Sequence, residues 1–278
     1  MPRFVSVGEC IVELVGSRAR GYWQRVAGNA LDMALLARGR LGADWSVDLF
    51  TALGDDIYSQ TIVDQLAGAG VGIGHILKVP GRNVGLSIIE EGEDGPAVTD
   101  WRRQSPARLA AEDSGALEST FAGADMIYVS GAALAVLPPR GRGRLIKALH
   151  QARRAGSRIV LAPHEWPELW TSPRVMGSTI DAAAMVADVI LTDERAETVT
   201  FGETSGEAIA ARYHACEVDE VVVRTDRDRA LVSVSGSPPS WVEADNADPL
   251  CSAYLCARAL GAAPAHAAAA LSSAGRSD

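Results

Sequence analysis

Cysteine is scarce in this chain of 278 residues. The four that occur are Cys10, Cys216, Cys251 and Cys256, and no two of them form a Cys-x-x-Cys pair. Four scattered cysteines are too few to build the disulfide framework of a secreted protein. The scarcity therefore indicates a reducing compartment, and we expect a cytoplasmic location.

Positive charge is also in short supply, because 26 lysine and arginine residues stand against 35 aspartate and glutamate residues. The formal net charge is -9 and the pI is near 5.1. A surface that binds nucleic acid must neutralise phosphates with basic side chains. We therefore expect no nucleic acid among the partners of this protein.

Long apolar runs are absent as well. No stretch approaches the ~18 apolar residues of a membrane helix, and the N-terminus enters a strand at residues 4–8 without an apolar signal region. We therefore expect no membrane partner. Hydrophobic residues nevertheless make up 47% of the chain, which is enough to bury a large core.

The apolar segments that are present alternate between strand and helix patterns. Strands are predicted near residues 3–7, 47–53, 125–130, 158–162, 188–192 and 219–224. Amphipathic helices are predicted over 29–41, 57–69, 139–155, 174–187, 205–215 and 249–260, with a further helix in the alanine-rich tail at 262–274. This alternation is typical of a three-layer α/β fold, in which helices cover both faces of a mainly parallel central sheet.

Two regions, residues 10–25 and about 82–104, break the alternation. They contain short strand-like segments and turn chemistry such as Glu93-Asp94-Gly95-Pro96, which predicts antiparallel strands that pair in space. We interpret them as a small β-sheet lid over the carboxyl ends of the main strands, where open α/β sheets bind ligands. The predicted organisation is one domain, residues 1–278, that carries this lid.

The last quarter of the chain contains a candidate catalytic carboxylate. After the strand at 219–224 the chain passes through a turn and a second strand into a loop that ends at Asp248, where an alanine-rich helix begins. A carboxylate beside the anion-binding start of a helix is suited to accept the proton of an attacking hydroxyl in phosphoryl transfer. Asp248 followed by Pro249 would serve equally well as a structural N-cap and N1 pair. Both interpretations stay open.

Short motifs along nearly the whole chain share their order and spacing with one enzyme family. The motifs are Gly8-Glu9, Ala27-Gly28-Asn29-Ala30-Leu31-Asp32, Gly54-Asp55-Asp56, Gly85-Leu86-Ser87, Trp101-Arg102, Ser130-Gly131, residues 163–170 and residues 245–248. Together they resemble the ribokinase-like (PfkB) carbohydrate kinases, most closely the 2-keto-3-deoxygluconate kinase branch. The resemblance implies a ribokinase-like fold and transfer of the ATP γ-phosphoryl group, with Mg²⁺, to a hydroxyl of a sugar or sugar acid.

The same resemblance places substrate contacts at Gly28, Asn29, Asp32, Ser87, Arg102 and Trp166. The Arg102 guanidinium could hold a carboxylate with two hydrogen bonds, or it could be a solvated charge of the lid. Short polar side chains at a helix start, such as Asn29 and Asp32, could equally be caps. Ser87, Asp100 and Trp166 stand where the ketogluconate branch tends to have Tyr, Tyr and Arg, which argues against a strongly acidic substrate.

On the nucleotide side, the resemblance places contacts at Arg224, Asp226, Asn246 and Ala247. Charged residues occupy the family's turn glycines at 226 and 229, and residues 245–247 replace a Gly-Ala-Gly turn whose backbone N–H groups approach the transferring phosphoryl group. Arg195 stands where the family has a glutamate associated with magnesium, although a shift of one residue would place Glu194 there. We therefore expect weak ATP binding and no metal ligand from the protein.

Two functions remain open on this basis. The leading hypothesis is a carbohydrate kinase that uses ATP and Mg²⁺, with Asp248 as its catalytic base. The alternative is a catalytically silent homologue that binds a sugar or regulates a partner, which the replaced glycines favour. An exposed edge of the lid could also pair with a second copy of the chain, so a homodimer through the lid is considered as well.

Overall fold

The computed structural model describes residues 1–90, 92, 95–163, 167–225, 228–244 and 251–272. The strands of this part are β1 (Arg3–Val7), β2 (Ile11–Ser17), β3 (Gly21–Ala27), β4 (Ser46–Leu53), β5 (Ile76–Lys78), β6 (Gly85–Glu90), β7 (Ala97–Trp101), β8 (Met126–Ser130), β9 (Arg158–Ala162), β10 (Val189–Asp193), β11 (Glu220–Thr225), β12 (Arg229–Val234) and β13 (Ser240–Glu243). The helices are α1 (Asn29–Arg40), α2 (Ile57–Gly68), α3 (Ser114–Phe121), α4 (Gly131–Val136), α5 (Pro139–Arg154), α6 (Pro173–Ala184), α7 (Glu194–Phe201), α8 (Gly206–Ala215), α9 (Ser252–Ala259) and α10 (Pro264–Ala269).

A nine-stranded sheet forms the centre of the fold, in the order β13-β12-β11-β10-β9-β8-β1-β4-β5. Neighbouring strands in the run β11-β10-β9-β8-β1-β4-β5 pair in parallel. At the β11 end of the sheet, β12 and β13 are added by antiparallel pairing. The parallel strands are apolar runs because helices bury both of their faces. Phe4 and Val5, for example, are fully buried in the core clusters on opposite faces of the sheet.

Helices cover the two faces in separate sets. Buried residues of α1, α2, α9 and α10 pack on one face, and those of α3, α5, α6 and α8 pack on the other. Several helices begin at a polar side chain that accepts a hydrogen bond from the first turn, which satisfies a backbone N–H that would otherwise lack a partner. These caps are Asp56, Asp113, Ser130, Ser172, Asp193 and Ser205.

A second, small sheet of four strands has the order β3-β2-β6-β7. Its two hairpins, β2–β3 and β6–β7, are antiparallel, but they join each other through a parallel pairing of β2 with β6. The antiparallel pairing expected from the sequence is confirmed within each hairpin, and the parallel junction between the two hairpins is a feature that the sequence did not predict. The reason lies in the connections, since β2 follows β1 and β6 follows β5, and those two preceding strands run in the same direction in the main sheet.

Most predicted elements are confirmed within three residues at their ends, including the strands at 3–7 and 158–162 and the helices at 29–41 and 139–155. The predicted tail helix is shorter, at Pro264–Ala269. Residues 249 and 250 of the predicted helix before it lie outside the described residues. Among the helices described, none is long and apolar enough to cross a membrane.

Candidate functional site

A polar cavity of about 130 Å³ lies between the small sheet and the start of α1. Its position follows from the topology, because β1 and β8 end here and open α/β sheets bind ligands beyond the carboxyl ends of their strands. Three of the predicted substrate contacts with side chains, Asn29, Asp32 and Arg102, line it. The other polar lining residues are Glu9, Glu13 and Arg25.

Gly28 allows the first turn of α1 to approach this cavity closely. Its φ of 139° is a backbone conformation that residues with a side chain rarely adopt. A Cβ at this position would collide with the backbone carbonyl of Glu9. Gly28 also stands at the N-cap of α1 without offering a side chain to cap the helix. The glycine is therefore required by the close contact between the helix start and the segment that follows β1.

Arg102 is paired with a carboxylate and is not a solvated charge. Its Nε and Nη2 atoms lie 2.8 and 2.6 Å from Oε2 of Glu9. Arg102 is only 4% exposed and Glu9 only 2%. Burial raises the pKa of Glu9, and the Arg102 guanidinium opposes that rise. The sequence interpretation of a solvated lid charge was wrong, because Arg102 follows the last residue of β7 and turns into the junction between the small sheet and the core.

A second ion pair spans the first hairpin of the small sheet. Glu13 on β2 lies directly opposite Arg25 on β3, and Arg25 Nε and Nη2 lie 2.6 and 2.5 Å from Glu13 Oε2. The Glu13 side chain is buried, while that of Arg25 is 51% exposed. Arg25 therefore serves mainly as the counter-charge of a carboxylate that faces the cavity.

Asp32, on the first turn of α1, has a strongly perturbed carboxyl group. Burial raises its pKa to about 6, Arg25 lowers it, Glu13 raises it and the backbone N–H of Gly28 lowers it. At the N-cap of α1 itself, no side chain accepts a hydrogen bond from the first turn. Asp32 can change charge near neutral pH because burial prevails over its partners.

Ser87 and Asp100 form a third polar pair, and Ser87 lies opposite Glu13 on the neighbouring strand. Ser87 and Asp100 lie opposite each other on β6 and β7, and the Ser87 hydroxyl donates a hydrogen bond to Asp100 Oδ1. Ser87 is buried, and the charge of Asp100 contributes to raising the pKa of Glu9. Ser87 is not among the residues that line the cavity, so the predicted substrate contact at Ser87 stays a prediction.

The Gly54-Asp55-Asp56 motif has a structural role. A Cβ on Gly54 would collide with the carbonyl of Arg82. The Asp56 carboxylate caps α2 by accepting hydrogen bonds from the N–H groups of Tyr58 and Ser59, and it also accepts one from Val84 at 3.0 Å. The motif fixes the loop that leads into β6, and so it positions the second hairpin of the small sheet.

The predicted nucleotide side lies at the carboxyl ends of β10 and β11, where Arg224 is opposite Asp193. The Asp193 carboxylate caps α7 by accepting a hydrogen bond from Ala196 N–H at 2.8 Å. Arg195 is exposed. The remaining predicted nucleotide contacts, Asp226, Asn246 and Ala247, lie outside the described residues. Asp248 and Trp166 lie outside them as well.

A buried carboxylate that the sequence did not single out, Glu197, lies close to this edge. It accepts hydrogen bonds from Thr192 and Tyr213 at 2.7 Å and is ion-paired with Arg212. Burial raises its pKa despite these partners. The hydrogen-bonding groups of the Glu197 carboxylate are thus used to hold α7 against β10 and α8. In the described part of the chain, no group of three or more potential metal ligands occurs.

Comparison with known proteins gives a consistent picture. The family model described as pfkB family carbohydrate kinase matches residues 1–240. A 2-dehydro-3-deoxygluconokinase of Escherichia coli is 30% identical over 237 residues, which cover 83% of this chain and 75% of that enzyme. The segment around Asp248 lies beyond the family match.

Solved structures share the fold. A PfkB protein from a Polaromonas species superposes with a TM-score of 0.83 at 22% identity, covering 98% of this chain and 94% of that one. A 2-dehydro-3-deoxygluconokinase from Thermotoga maritima gives 0.81 at 15% identity, covering 98% and 92%. The ribokinase-like α/β fold expected from the sequence is confirmed, and this chain belongs to the pfkB family of carbohydrate kinases.

Proposed function

We propose that this protein transfers the γ-phosphoryl group of ATP to a hydroxyl of a sugar or sugar acid held between the small sheet and α1. The observation that carries the proposal is the polar cavity itself, which lies beyond the carboxyl ends of the main strands in a chain of this kinase family. The E. coli relative, a 2-dehydro-3-deoxygluconokinase, makes a sugar acid one candidate substrate. The kinase relatives favour this function over the catalytically silent homologue.

In this proposal the small sheet acts as the lid of a single domain and excludes water from the cavity. Carboxylate oxygens of Glu9 and Asp32 accept hydrogen bonds from sugar hydroxyls, while Asn29 supplies an amide that can donate and accept. Asp248 takes the proton of the attacking hydroxyl, a contribution on the order of 10² to 10⁴ in rate. The role of Asp248 rests on the family resemblance.

Only part of a nucleotide site falls within the described residues. Arg224, at the carboxyl end of β11, carries a cation suited to a phosphate, and the neighbouring Asp193 caps α7. ATP would supply the phosphoryl group and its bound Mg²⁺ would offset the charge of the phosphates. Because the described residues offer no cluster of acidic ligands, we propose that the ion is held mainly by the nucleotide.

The test is coupled-assay turnover with a panel of sugars and sugar acids. Asp248→Asn should lower kcat by about 10² to 10⁴ and leave the sugar Kd nearly unchanged, because a base acts mainly in the transition state. If Asp248 is only a helix cap, the variant should instead lose up to about 2 kcal/mol of stability with no change in turnover. The control variant is Asp64→Asn, which makes the same aspartate-to-asparagine change at an exposed position of α2.

A variant that restores Gly-Ala-Gly at 245–247 should raise the rate, because glycine lets the backbone N–H groups approach the transferring phosphoryl group more closely and because one negative charge is removed. If the wild type and this variant are both inactive with every compound that binds, the kinase proposal fails and the silent homologue replaces it. A cytoplasmic location remains part of the proposal.

We also propose a homodimer through the small sheet, in which a second copy of the chain covers the outer face of the sheet instead of pairing with the exposed edge considered from the sequence. Val12, Leu14, Leu86 and Trp101 line a groove of about 760 Å³ there, and the Trp101 side chain is 55% exposed. Light scattering of Trp101→Ser measures the effect, which should be loss of the dimer. Trp23→Ser is the matched control, because Trp23 is equally exposed but lies on the opposite face of the same sheet. A monomeric wild type would refute the dimer.

A further inference from the structure

The cavity between the small sheet and α1 is surrounded by more carboxylates than cations. Glu9, Glu13 and Asp32 line it, and Asp100 lies close enough to Glu9 to influence its charge. Among the described residues, the cations that line it are Arg25 and Arg102. With every group ionised, four negative and two positive charges give a net charge of -2. If Glu9 keeps its proton, the net charge is -1.

Both cations of the cavity already have carboxylate partners. Arg102 donates to Glu9 Oε2 through Nε at 2.8 Å, and Arg25 donates to Glu13 Oε2 at 2.6 Å. A carboxylate on a ligand would have to compete with Glu9 and Glu13 for these guanidinium groups. It would also approach Asp32, which lines the cavity, and like charges repel in a medium that screens poorly.

The cavity also contains an acceptor atom that lacks a donor. Within the described part of the chain, the buried oxygen Glu9 Oε1 accepts no hydrogen bond, and neither does Asp100 Oδ2 in a neighbouring depression. Leaving a buried acceptor without a donor costs free energy, so native proteins normally provide one. A sugar hydroxyl can donate to such an oxygen. An ionised carboxylate can only accept, so it cannot satisfy Glu9 Oε1 while Glu9 is itself ionised.

A neighbouring depression of about 550 Å³, on the other side of Arg102, does not reverse this balance. It adds Arg103, Arg108 and Glu168 to the charges near the site. The two extra cations and one extra carboxylate change the net charge from -2 to -1. Arg108 is also engaged there, because its Nη1 donates to the carbonyl of Val136 at 3.0 Å.

We infer that the cavity selects an uncharged, hydroxyl-rich monosaccharide and discriminates against sugar acids. This inference rests on the proposed kinase function, since it names the substrate class of the same site. Hydroxyl groups of such a sugar would donate to Glu9 and Asp32, whereas the carboxylate of a sugar acid would meet net negative charge. The chain would then differ in substrate class from the relatives named as 2-dehydro-3-deoxygluconokinases.

The experiment measures binding without ATP, by isothermal titration at pH 7.5 and low salt. The ligands are matched sets that differ mainly in charge: glucose, glucuronate and glucosamine; galactose, galacturonate and galactosamine; and fructose beside 2-dehydro-3-deoxygluconate. The uncharged member of the best-binding set should bind at least about tenfold tighter than its acid, which corresponds to about 1.4 kcal/mol. Higher salt should narrow the difference, because screening weakens charge repulsion.

Charge variants identify the cause of the discrimination. Asp32→Asn should improve binding of the acid relative to the uncharged sugar by about three- to tenfold, because it removes one negative charge from the cavity wall. Glu13→Gln tests the second lining carboxylate in the same way. Asp64→Asn on exposed α2 should leave the ratio unchanged. Thermal melts of all variants show whether each one is folded under the conditions of the titration.

The outcomes separate this inference from the proposed function. If an acid or amino sugar binds best, the inference fails, and turnover of that ligand would still support the kinase. If an uncharged sugar binds best but no ligand is turned over, the inference stands and the kinase proposal fails. If no member of the panel binds, both fail. An acid-to-sugar ratio that does not respond to Asp32→Asn also overturns the inference.

Discussion

Asp32→Asn should make the protein more stable at neutral and alkaline pH. The Asp32 carboxyl is partly buried beside Glu13, and its pKa of about 6 lies above the ordinary value of 3.8. The folded protein therefore resists losing this proton, whereas the unfolded chain loses it readily. Asparagine has nearly the same shape and carries no charge, so the substitution removes the cost of ionising a buried group.

The magnitude follows from the difference between 3.8 and about 6. Each pKa unit corresponds to about 1.4 kcal/mol, which gives about 3 kcal/mol for a group fully shielded from solvent. Asp32 is only partly buried, and screening by solvent reduces the expected gain to about 1–2 kcal/mol. For a protein of this size, that gain raises Tm by about 2–6 °C.

The pH dependence gives the sharper test. Because the folded-state pKa is raised, the stability of the wild type should be highest with respect to Asp32 below about pH 4. It should fall as pH rises between about 4 and 6, since the unfolded chain releases the proton first. Above pH 6 the loss is complete. The advantage of Asp32→Asn should thus be absent near pH 4 and full by pH 7.

Urea unfolding at pH 4, 5, 6 and 7.5 measures this advantage directly. Asp64→Asn, on the exposed face of α2, should show no such change with pH and serves as the matched control. An Asp32→Asn variant that is less stable than the wild type at pH 7.5 would refute the reasoning, as it would show that the charge of Asp32 stabilises the fold. A gain that does not vary with pH would show that ionisation is not its cause.

Three further predictions follow from buried contacts. Arg102→Ala should lower the unfolding free energy by about 3–5 kcal/mol, because it leaves Glu9 without its counter-charge. Adding Glu9→Gln to that variant should recover part of the loss. If the single and double variants are equally stable, the ion pair does not have this role. Gly28→Ala should cost about 2 kcal/mol or more in the same assay, unlike Gly143→Ala on open α5. Glu220→Gln should cost about 3 kcal/mol at pH 7, measured by thermal melts. Burial works against ionisation of Glu220, but Arg258, Arg158 and Tyr254 hold its pKa below the usual value. The stability lost in Glu220→Gln should therefore shrink as pH falls from the usual pKa of a glutamate through the lowered pKa of the folded protein.

The main sheet could be predicted from the sequence because its parallel strands are short apolar runs separated by longer amphipathic segments. The helices α3, α4 and α7, which are six to eight residues long, were not predicted, whereas the equally short α9 and α10 were predicted from the alanine-rich end of the chain. The parallel junction of the small sheet depends on where β1 and β5 lie in the main sheet, which local sequence does not reveal.

The candidate site was predictable in position but not in electrostatics. Asn29, Asp32 and Arg102 were found through motifs, and they do line one cavity. The partner of Arg102 is 93 residues away in sequence, so only the fold brings Glu9 to it. The pair formed by Glu13 and Arg25 could have been found, because the two residues lie at matching positions across a predicted hairpin.

The Glu9–Arg102 ion pair also has a mechanical consequence. Glu9 lies in the three-residue link between β1 and β2, and Arg102 directly follows β7, so the pair fastens together two of the points at which the small sheet is attached to the core. Because the ion pair is buried, it holds these two attachment points close together. Moving this end of the small sheet away from the core would therefore require the buried Glu9–Arg102 ion pair to separate. The ion pair and the Asp56 carboxylate, which holds the loop before β6, together fix the small sheet where it joins the core.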